Sequence, residues 1–170
     1  MATKTKTFDV AGVTYQTTQF AAVPALEIMS SDSINPIENL RLTQARAAGA
    51  WVPLTSRNAI NRHVADPLNF MAPRLVLDAL IKHVNDFSFG FAREWKGVSV
   101  PRRFMSSDVE MKTSSYVDPL ISQLLQEGVA SLRELEEYYS LEDAFKMFDA
   151  LLAKGVNTAL ANEAAFKKNK

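Results

Sequence analysis

The strongest constraint on the fold of this chain is a pair of helix start signals near its C-terminal end. Ser131 is followed three residues later by Glu134, and Ser140 by Asp143. Each pair can cap the first turn of a helix reciprocally. After the second signal, apolar side chains recur at intervals of three and four: Leu141, Ala144, Phe145, Phe148, Leu151 and Leu152. Such a stripe is typical of an amphipathic helix, so the signals predict two successive helices, the second of them long.

The end of this long helix differs in composition from its beginning. The stripe is expected to face the protein core over its first three turns, whereas residues 156–170 are rich in Asn and Lys and predict a projecting or frayed helix end. An apolar face that continues into a poorly packed end suits binding of a partner helix or groove. Phe145, Phe148 and Leu152 are therefore candidate partner-binding residues.

The N-terminal part predicts a short β-hairpin. Apolar and polar residues alternate from Phe8 to Tyr15 on both sides of Ala11-Gly12, which is typical of two short strands. Ala11 is a poor residue for a two-residue turn with positive φ at both positions, so a longer loop using Gly12 is an equal alternative. The hairpin is expected to span residues 8–16.

Most of the chain between the hairpin and the C-terminal helices is also predicted to be helical. Asn35-Pro36 predicts a helix start and Gly49 its end, with residues 51–54 as an apolar connector. Other helices are expected at about 20–29 and 57–64, and from the capping residue Asp118 to Leu125. A further helix is expected from Pro73 onward, with an apolar stripe of Leu77, Leu80, Ile81 and Val84. Residues 87–91 change to period two and could form a strand, or a helix end followed by a loop. Residues 106–115 are expected to be the least structured.

These signals predict a mainly α fold, a helical domain with a short N-terminal β-hairpin. We expect residues 1–7 to be a disordered arm, residues 8–155 a single domain and residues 156–170 a projecting helix end. At 170 residues the chain is long enough to bury a hydrophobic core.

The composition narrows the classes of function. Nineteen basic residues balance nineteen acidic ones, which argues against a dedicated nucleic-acid binder. There is no cysteine, which excludes disulfides and thiolate metal sites. The N-terminus lacks a signal-peptide core, and no stretch approaches the roughly 18 apolar residues of a membrane span. A cytoplasmic protein without membrane contact is expected.

No recognised catalytic pattern is present. The only histidines are His63 and His83; His83 and Asp86 could pair on one helix face as a base and its orienter, but a surface histidine is the simpler interpretation. The six glycines are scattered singly, so they form no phosphate-binding loop. We predict that the chain is not an enzyme and holds no cofactor or metal.

Aromatic and basic residues are concentrated between Phe87 and Phe104. Such a mixture could stack single-stranded bases and hold phosphates, or the aromatics could fill the core while the charges face solvent. The neutral net charge favours the second interpretation. If the region binds anything, a protein partner is favoured, because aromatic and Arg side chains dominate interface hot spots. Trp95, Arg102 and Arg103 are the candidates there.

Two stretches resemble the tail assembly chaperones of long-tailed bacteriophages. Residues 8–15, Phe-Asp-Val-Ala-Gly-Val-Thr-Tyr, followed closely by a helix, are similar to the start of that family. Residues 132–144, Leu-Arg-Glu-Leu-Glu-Glu-Tyr-Tyr-Ser-Leu-Glu-Asp-Ala, are similar to its C-terminal part. The region from about Asn35 to Tyr116 departs from the family pattern.

The resemblance implies a non-enzymatic protein of the infected bacterial cytoplasm. It would bind the tape-measure protein, keep it soluble and recruit tail-tube subunits; a homo-oligomer is left open. Acidic residues between Glu134 and Asp143 would favour basic partners. The alternative is a structural component of the phage tail or baseplate, whose hairpin adds to a neighbouring sheet. A third, less favoured hypothesis is a small regulator that binds nucleic acid through residues 87–104.

Overall fold

The computed structural model describes residues 3–104, 114 and 116–168 of the chain. Its central feature is a four-stranded antiparallel sheet in the order β1-β2-β3-β4. The strands are β1 (Thr5–Val10), β2 (Val13–Thr18), β3 (Thr43–Ala47) and β4 (Ala50–Pro53). The fold is therefore mixed α and β, and the predicted mainly α fold with a single hairpin was too simple.

The second pair of strands occupies a region for which the sequence predicted a helix and a connector. The helix that Asn35 caps ends at Leu40, well before Gly49. In β3, Thr43 and Ala45 are buried whereas Arg46 is exposed, so the side chains alternate as a strand requires. The Asn35 cap was predicted correctly, but strands β3 and β4, which follow it, were not predicted.

Both hairpins turn on the same dipeptide, Ala-Gly. Ala11 has φ +49° and Gly12 φ +78°, while Ala48 has φ +48° and Gly49 φ +84°. The closing pairs are Val10 with Val13 and Ala47 with Ala50, so each turn has two residues. Positive φ at both positions matches the twist of antiparallel strands, and of the two predicted alternatives for the first hairpin the tight turn is observed.

We expect Ala48→Asn to raise the free energy of unfolding by about 0.5 kcal/mol, because Asn tolerates the left-handed conformation better than Ala does. Ala48 is exposed, so the larger side chain meets no packed neighbour. Urea unfolding measures the change. Ala150→Asn, at an exposed helical position, is the control and should lower stability by a similar amount. A loss of stability at both positions would contradict the assignment of strain to the turn.

Seven α-helices are present in the described part of the chain: α1 (Ala22–Ser30), α2 (Pro36–Leu40), α3 (Arg57–His63), α4 (Pro73–Phe89), α5 (Pro119–Gln126), α6 (Leu132–Glu137) and α7 (Leu141–Lys168). Side-chain caps are formed where the sequence predicted them, at Asn35, Asp118 and Ser131. Helix α4 continues to Phe89 and a 3₁₀ turn follows (Gly90–Arg93); of the two alternatives for residues 87–91, the helix end is observed. The predicted irregular stretch 106–115 lies outside the described residues, apart from Ser114.

The core lies between one face of the sheet and helices from both halves of the chain. From β2 it receives Tyr15, whose hydroxyl donates to the His63 carbonyl at 3.0 Å; burial raises the pKa of Tyr15 to about 12. From α4 it receives Val76, Leu80, Ile81 and Val84. The start of α1 is joined to the start of α7, because the Ala22 N–H donates to the Tyr139 carbonyl at 2.8 Å.

The predicted N-terminal limit of the domain changes, whereas a helix continues into residues 156–168 as expected. Strand β1 begins at Thr5, because Thr5, Lys6 and Thr7 pair with β2; these three residues are ordered strand, although the sequence placed them in a disordered arm. At the other end, α7 passes Gly155 without a break and continues to Lys168.

Candidate protein-binding surface

The two halves of α7 have different surroundings. Leu141 and Ala144 are buried, and Phe145, Phe148 and Leu151 pack partly against the core. Beyond Gly155 most residues are exposed, and Phe166 is 77% exposed. The first half of the helix therefore belongs to the core, and the second half leaves it.

An apolar groove lies where α7 leaves the core; we call it the α5–α7 groove. Its volume is about 660 Å³, and it lies between α5, α7 and the segment that ends at Phe104. Its apolar walls are Val100, Phe104, Phe148, Leu151, Leu152 and Val156. Glu127 and Lys154 are among its polar lining residues. Two of the predicted partner-binding residues, Phe148 and Leu152, thus line one concave apolar surface.

Trp95 and Phe145 lie in a separate aromatic cluster. Their ring centroids are 5.7 Å apart, and Phe91 lies 6.0 Å from Trp95 and 5.5 Å from Phe145, all in edge-to-face geometry. Such contacts stabilise packed aromatic rings. The Val98 N–H donates to Asp149 Oδ1 at 2.6 Å, which fastens the following loop to α7. Trp95 and Phe145 therefore pack against each other and hold the loop that follows Trp95 against α7.

The two candidate arginines differ in their contacts. Arg103 donates from Nε to Glu163 at 3.1 Å, and its guanidinium lies 4.8 Å from the ring centroid of Phe104. The pKa of Glu163 is lowered, first by its hydrogen bond with Lys167 and then by the charge of Arg103. Arg102 is exposed. Arg103 thus links the groove wall to the distal half of α7.

The apolar stripe of α7 continues along the groove. Leu152, Val156, Ala159 and Phe166 follow one another at intervals of four, three and seven, which places them on one face of the helix. Leu152, Val156 and Ala159 are partly exposed, and Phe166 is strongly exposed. Glu163, which pairs with Arg103 and Lys167, lies on the same face between Ala159 and Phe166, so the apolar surface of the groove ends at Ala159 and Phe166 is a separate exposed side chain.

The less favoured acid–base pair of His83 and Asp86 on α4 is not formed, and His83 is exposed, as the simpler interpretation expected. Asp86 contacts Lys82 at 2.6 Å and Arg93 at 2.7 Å, and its pKa is lowered, first by the hydrogen bond from Lys82. The ring of His83 lies 5.3 Å from that of Phe8. Among the described residues, no group of three or more acidic or histidine side chains could hold a metal ion.

One exposed apolar element was not predicted from the sequence. The loop 67–72 between α3 and α4, which we call the apolar loop, presents Leu68 at 71% and Phe70 at 85% exposure. The signal that could have indicated it is Asp66-Pro67 with Asn69, since Asp and Asn side chains bind nearby backbone and fix tight loops. Leu68 and Phe70, the apolar residues between these polar ones, are exposed to solvent.

Charge is segregated along the neutral chain. Between Arg41 and Arg74 there are five arginines and one acidic residue, Asp66. Between Glu127 and Asp143 there are six acidic residues and one basic residue, Arg133. The arginine-rich segment includes the apolar loop, and the acidic segment begins at the groove.

Comparison with known proteins assigns no family to this chain. No protein-family model matches it, and neither the curated proteins nor the solved structures contain a match. None of the helices in ranges 3–104 and 116–168 has both the length and the apolar character needed to cross a membrane.

Proposed function

We propose that this chain is a non-enzymatic phage tail assembly chaperone that binds helices of the tape-measure protein and keeps them soluble in the infected bacterium. One observation carries the proposal. The apolar face of α7 continues from the core into the α5–α7 groove, where the helix leaves the core and becomes largely exposed. The resemblance of residues 8–15 and 132–144 to the chaperone family supports the same function.

The groove suits an amphipathic helix. A client helix places apolar side chains at intervals of three and four into such a surface. Phe148 and Leu152 would contact the first turns of the client, and Val156 and Ala159 the following ones. Burial of this client surface removes from water the area that would otherwise drive aggregation.

The acidic residues of α6, Glu134, Glu136 and Glu137, are exposed and favour a basic client. The groove lining itself is balanced, with Glu127 and Lys154. Complementary charge raises the rate of encounter and selects among partners. Recruitment of tail-tube subunits, the second role that the resemblance implies, would use a surface left free when a client occupies the groove.

Co-expression with the tape-measure protein of the same phage tests the proposal. We expect the wild-type chain to increase the soluble fraction of the tape-measure protein and to co-purify with it. Leu152→Glu should lower the captured amount at least about tenfold, because it removes a buried apolar contact and places a charge in the groove. Ala150→Glu introduces the same charge at an exposed position of α7 and should leave capture unchanged. The proposal fails if the tape-measure protein is equally soluble without this chain.

A structural role in the tail or baseplate is the second candidate, and one observation favours it. Strand β1 is six residues long and pairs with β2 along one side, and it forms one edge of the sheet. An edge strand can extend the sheet of a neighbouring subunit. A structural component would be found in purified phage particles, whereas a chaperone would be absent from them.

A further inference from the structure

A segment outside the α-helices and strands runs along one side of α7. Residues 97–104, which we call the strap, follow the aromatic cluster in the chain. Polar contacts join the strap to α7: the Val98 N–H donates to Asp149, and the Arg103 guanidinium donates to Glu163. These two acidic residues are about four helical turns apart. The strap therefore follows α7 from the core to its exposed half.

The strap lies over one face of α7. Four residues follow one another at intervals of three, four and seven and so lie on a common face: Asp149, Leu152, Val156 and Glu163. The two middle residues are apolar and half-buried, and they line the α5–α7 groove together with Val100 and Phe104 of the strap. The strap is therefore part of what shields these apolar side chains from solvent.

The contacts of the strap are weaker than those of the core. The side chains of Arg103 and Glu163 are 56% and 32% exposed, and exposed ion pairs contribute little to stability. None of residues 97–104 is buried. The Val98 N–H lies 2.6 Å from Asp149 Oδ1, but Asp149 is itself only half-buried. Segments held in this way are the ones that open locally while the core stays folded.

Opening of the strap leaves the charges of α7 paired or solvated. Glu163 also lies 2.8 Å from Lys167 of its own helix, so it keeps an ion pair when Arg103 withdraws. Asp149 is half-buried and can accept hydrogen bonds from water once Val98 has left. Neither carboxylate becomes a desolvated charge without a partner, which is the costly outcome.

Gly97 is placed to act as the hinge of the strap. A Cβ atom at this position would lie 3.1 Å from Trp95 Nε1 and 3.2 Å from Asp149 Oδ1, so the backbone passes closely over both side chains. Glycine also accepts large changes of φ and ψ without strain. Because Trp95 stays in the aromatic cluster, the chain beyond Gly97 can move away from α7 as one unit.

We propose that the strap is an autoinhibitory latch. In its closed state it shields the apolar face of α7 in the free protein. When it is released beyond Gly97, it uncovers Leu152 and Val156 for an incoming helix, which replaces the contacts of Val100 and Phe104. An apolar face left open on the free protein would promote association, and the latch prevents this. That the incoming helix belongs to a client rests on the proposed function, whereas the opening of the strap does not.

Amide hydrogen exchange of the full chain, resolved by NMR, measures the opening directly. The Val98 N–H is protected while it binds Asp149, and the Ala22 N–H, which binds the Tyr139 carbonyl, reports on unfolding of the core. We expect the Val98 amide to exchange about a hundred-fold more slowly than in an unfolded chain, which corresponds to an open fraction of about 1%. The Ala22 amide should exchange far more slowly still. Equal protection of the two amides would overturn the inference, because the strap would then open only with the core, and so would an unprotected Val98 amide.

Arg103→Glu tests the far end of the latch. It replaces an attraction to Glu163 by a repulsion, so we expect the protection of the Val98 amide to fall about fivefold, while that of the core amide is unchanged. Lys96→Glu makes the same change of charge at an exposed position just before the strap and should leave both unchanged. Protection that is unaffected by Arg103→Glu, or that falls equally in Lys96→Glu, would contradict the latch.

The contact at Asp149 provides a second pair of variants. Asp149→Ala removes the acceptor and should abolish the protection of the Val98 amide. Asp149→Asn keeps an acceptor oxygen and should retain most of that protection. Equal loss in both variants would contradict the role of this hydrogen bond in closing the strap. Circular dichroism checks that each variant is folded.

Capture of the tape-measure protein separates this inference from the proposed function. If the strap competes with the client, the apparent affinity is reduced by the open fraction. Arg103→Glu should therefore raise the affinity by the same factor, about fivefold, and Lys96→Glu should not. An unchanged affinity with a looser strap would overturn the autoinhibitory role. If the wild type captures no tape-measure protein, the proposed function fails, and the exchange rates still decide whether the strap opens as a latch.

Discussion

Leu141→Ala is expected to lower the free energy of unfolding by about 3 kcal/mol, the middle of the range for deleting a buried leucine side chain. Leu141 is 1% exposed and belongs to the main hydrophobic cluster, where it opens α7. Its neighbours come from elements far apart in sequence and relax only partly, so the loss combines transfer and cavity terms. For a chain of this size each kcal/mol lowers Tm by about 2–4 °C. Thermal and urea unfolding followed by circular dichroism measure both quantities.

Leu160→Ala is the matched control on the same helix. Leu160 is 39% exposed and lies in the projecting half of α7, so its truncation should change stability by no more than about 0.5 kcal/mol. Equal losses at the two positions would mean that the distal half is packed as firmly as the proximal half. That result would contradict the binding surface proposed for α7.

Ser140→Ala is expected to cost about 2 kcal/mol, at the upper end for loss of an N-cap. The Ser140 hydroxyl donates to Asp143 Oδ2 at 2.9 Å and accepts from the Asp143 N–H at 3.2 Å. Both residues are buried. Without the hydroxyl, the Asp143 carboxylate keeps only the Ser140 N–H, at 3.3 Å. A buried carboxylate that loses a partner is costly because water does not replace it.

The other capping box provides the comparison. Ser131 forms the same reciprocal bonds with Glu134, whose carboxylate accepts a hydrogen bond from the Ser131 N–H at 2.8 Å. This pair is exposed. Ser131→Ala should therefore cost about 0.5–1 kcal/mol. Ser140→Thr retains the hydroxyl and should keep most of the stability. A larger loss at Ser131 than at Ser140 would show that burial does not govern these caps.

The pH dependence of the exposed box has a defined sign. The Ser131 N–H, and then its hydroxyl, lower the pKa of Glu134. The contribution of this pair is therefore complete above the ordinary pKa of Glu and is lost as the pH falls through the lowered one.

The features that could be predicted from the sequence are those determined by neighbouring residues. A cap needs only a side chain and the backbone two or three residues ahead, so the starts at Asn35, Asp118, Ser131 and Ser140 were identifiable. The stripe of α4 was identifiable for the same reason, because residues three and four apart lie on one face of a helix.

Strands β3 and β4 could not be identified in this way. The segment Ala45-Arg46-Ala47-Ala48-Gly49 is rich in Ala and Arg, which favour helices. Its strand conformation depends on pairing with β2, where Tyr15 lies opposite Ala45 and Thr17 opposite Thr43. The hydroxyls of Thr17 and Thr43 share a buried hydrogen bond of 2.9 Å. Tertiary contacts of this kind override local propensity.

The binding surface was predictable only in part. Phe148 and Leu152 follow from the stripe of α7, but the opposite wall, formed by Val100 and Phe104, comes from a segment without helical periodicity. Whether an apolar side chain in a loop points inward or outward depends on the hydrogen bonds of the loop. For Leu68 and Phe70 these converge on Asp66, and the sequence alone does not show that convergence.

The continuity of α7 has a consequence for its kinetics. Starting an isolated helix is unfavourable, with a nucleation constant on the order of 10⁻³. In α7 the first turns are held by the core, so the turns beyond Gly155 extend an existing nucleus. They also contain Ala161, Ala164 and Ala165, the residue with the highest helix propensity. The distal turns should therefore exchange between helix and coil in under about a microsecond, and a partner that captures the helical form would not have to nucleate it.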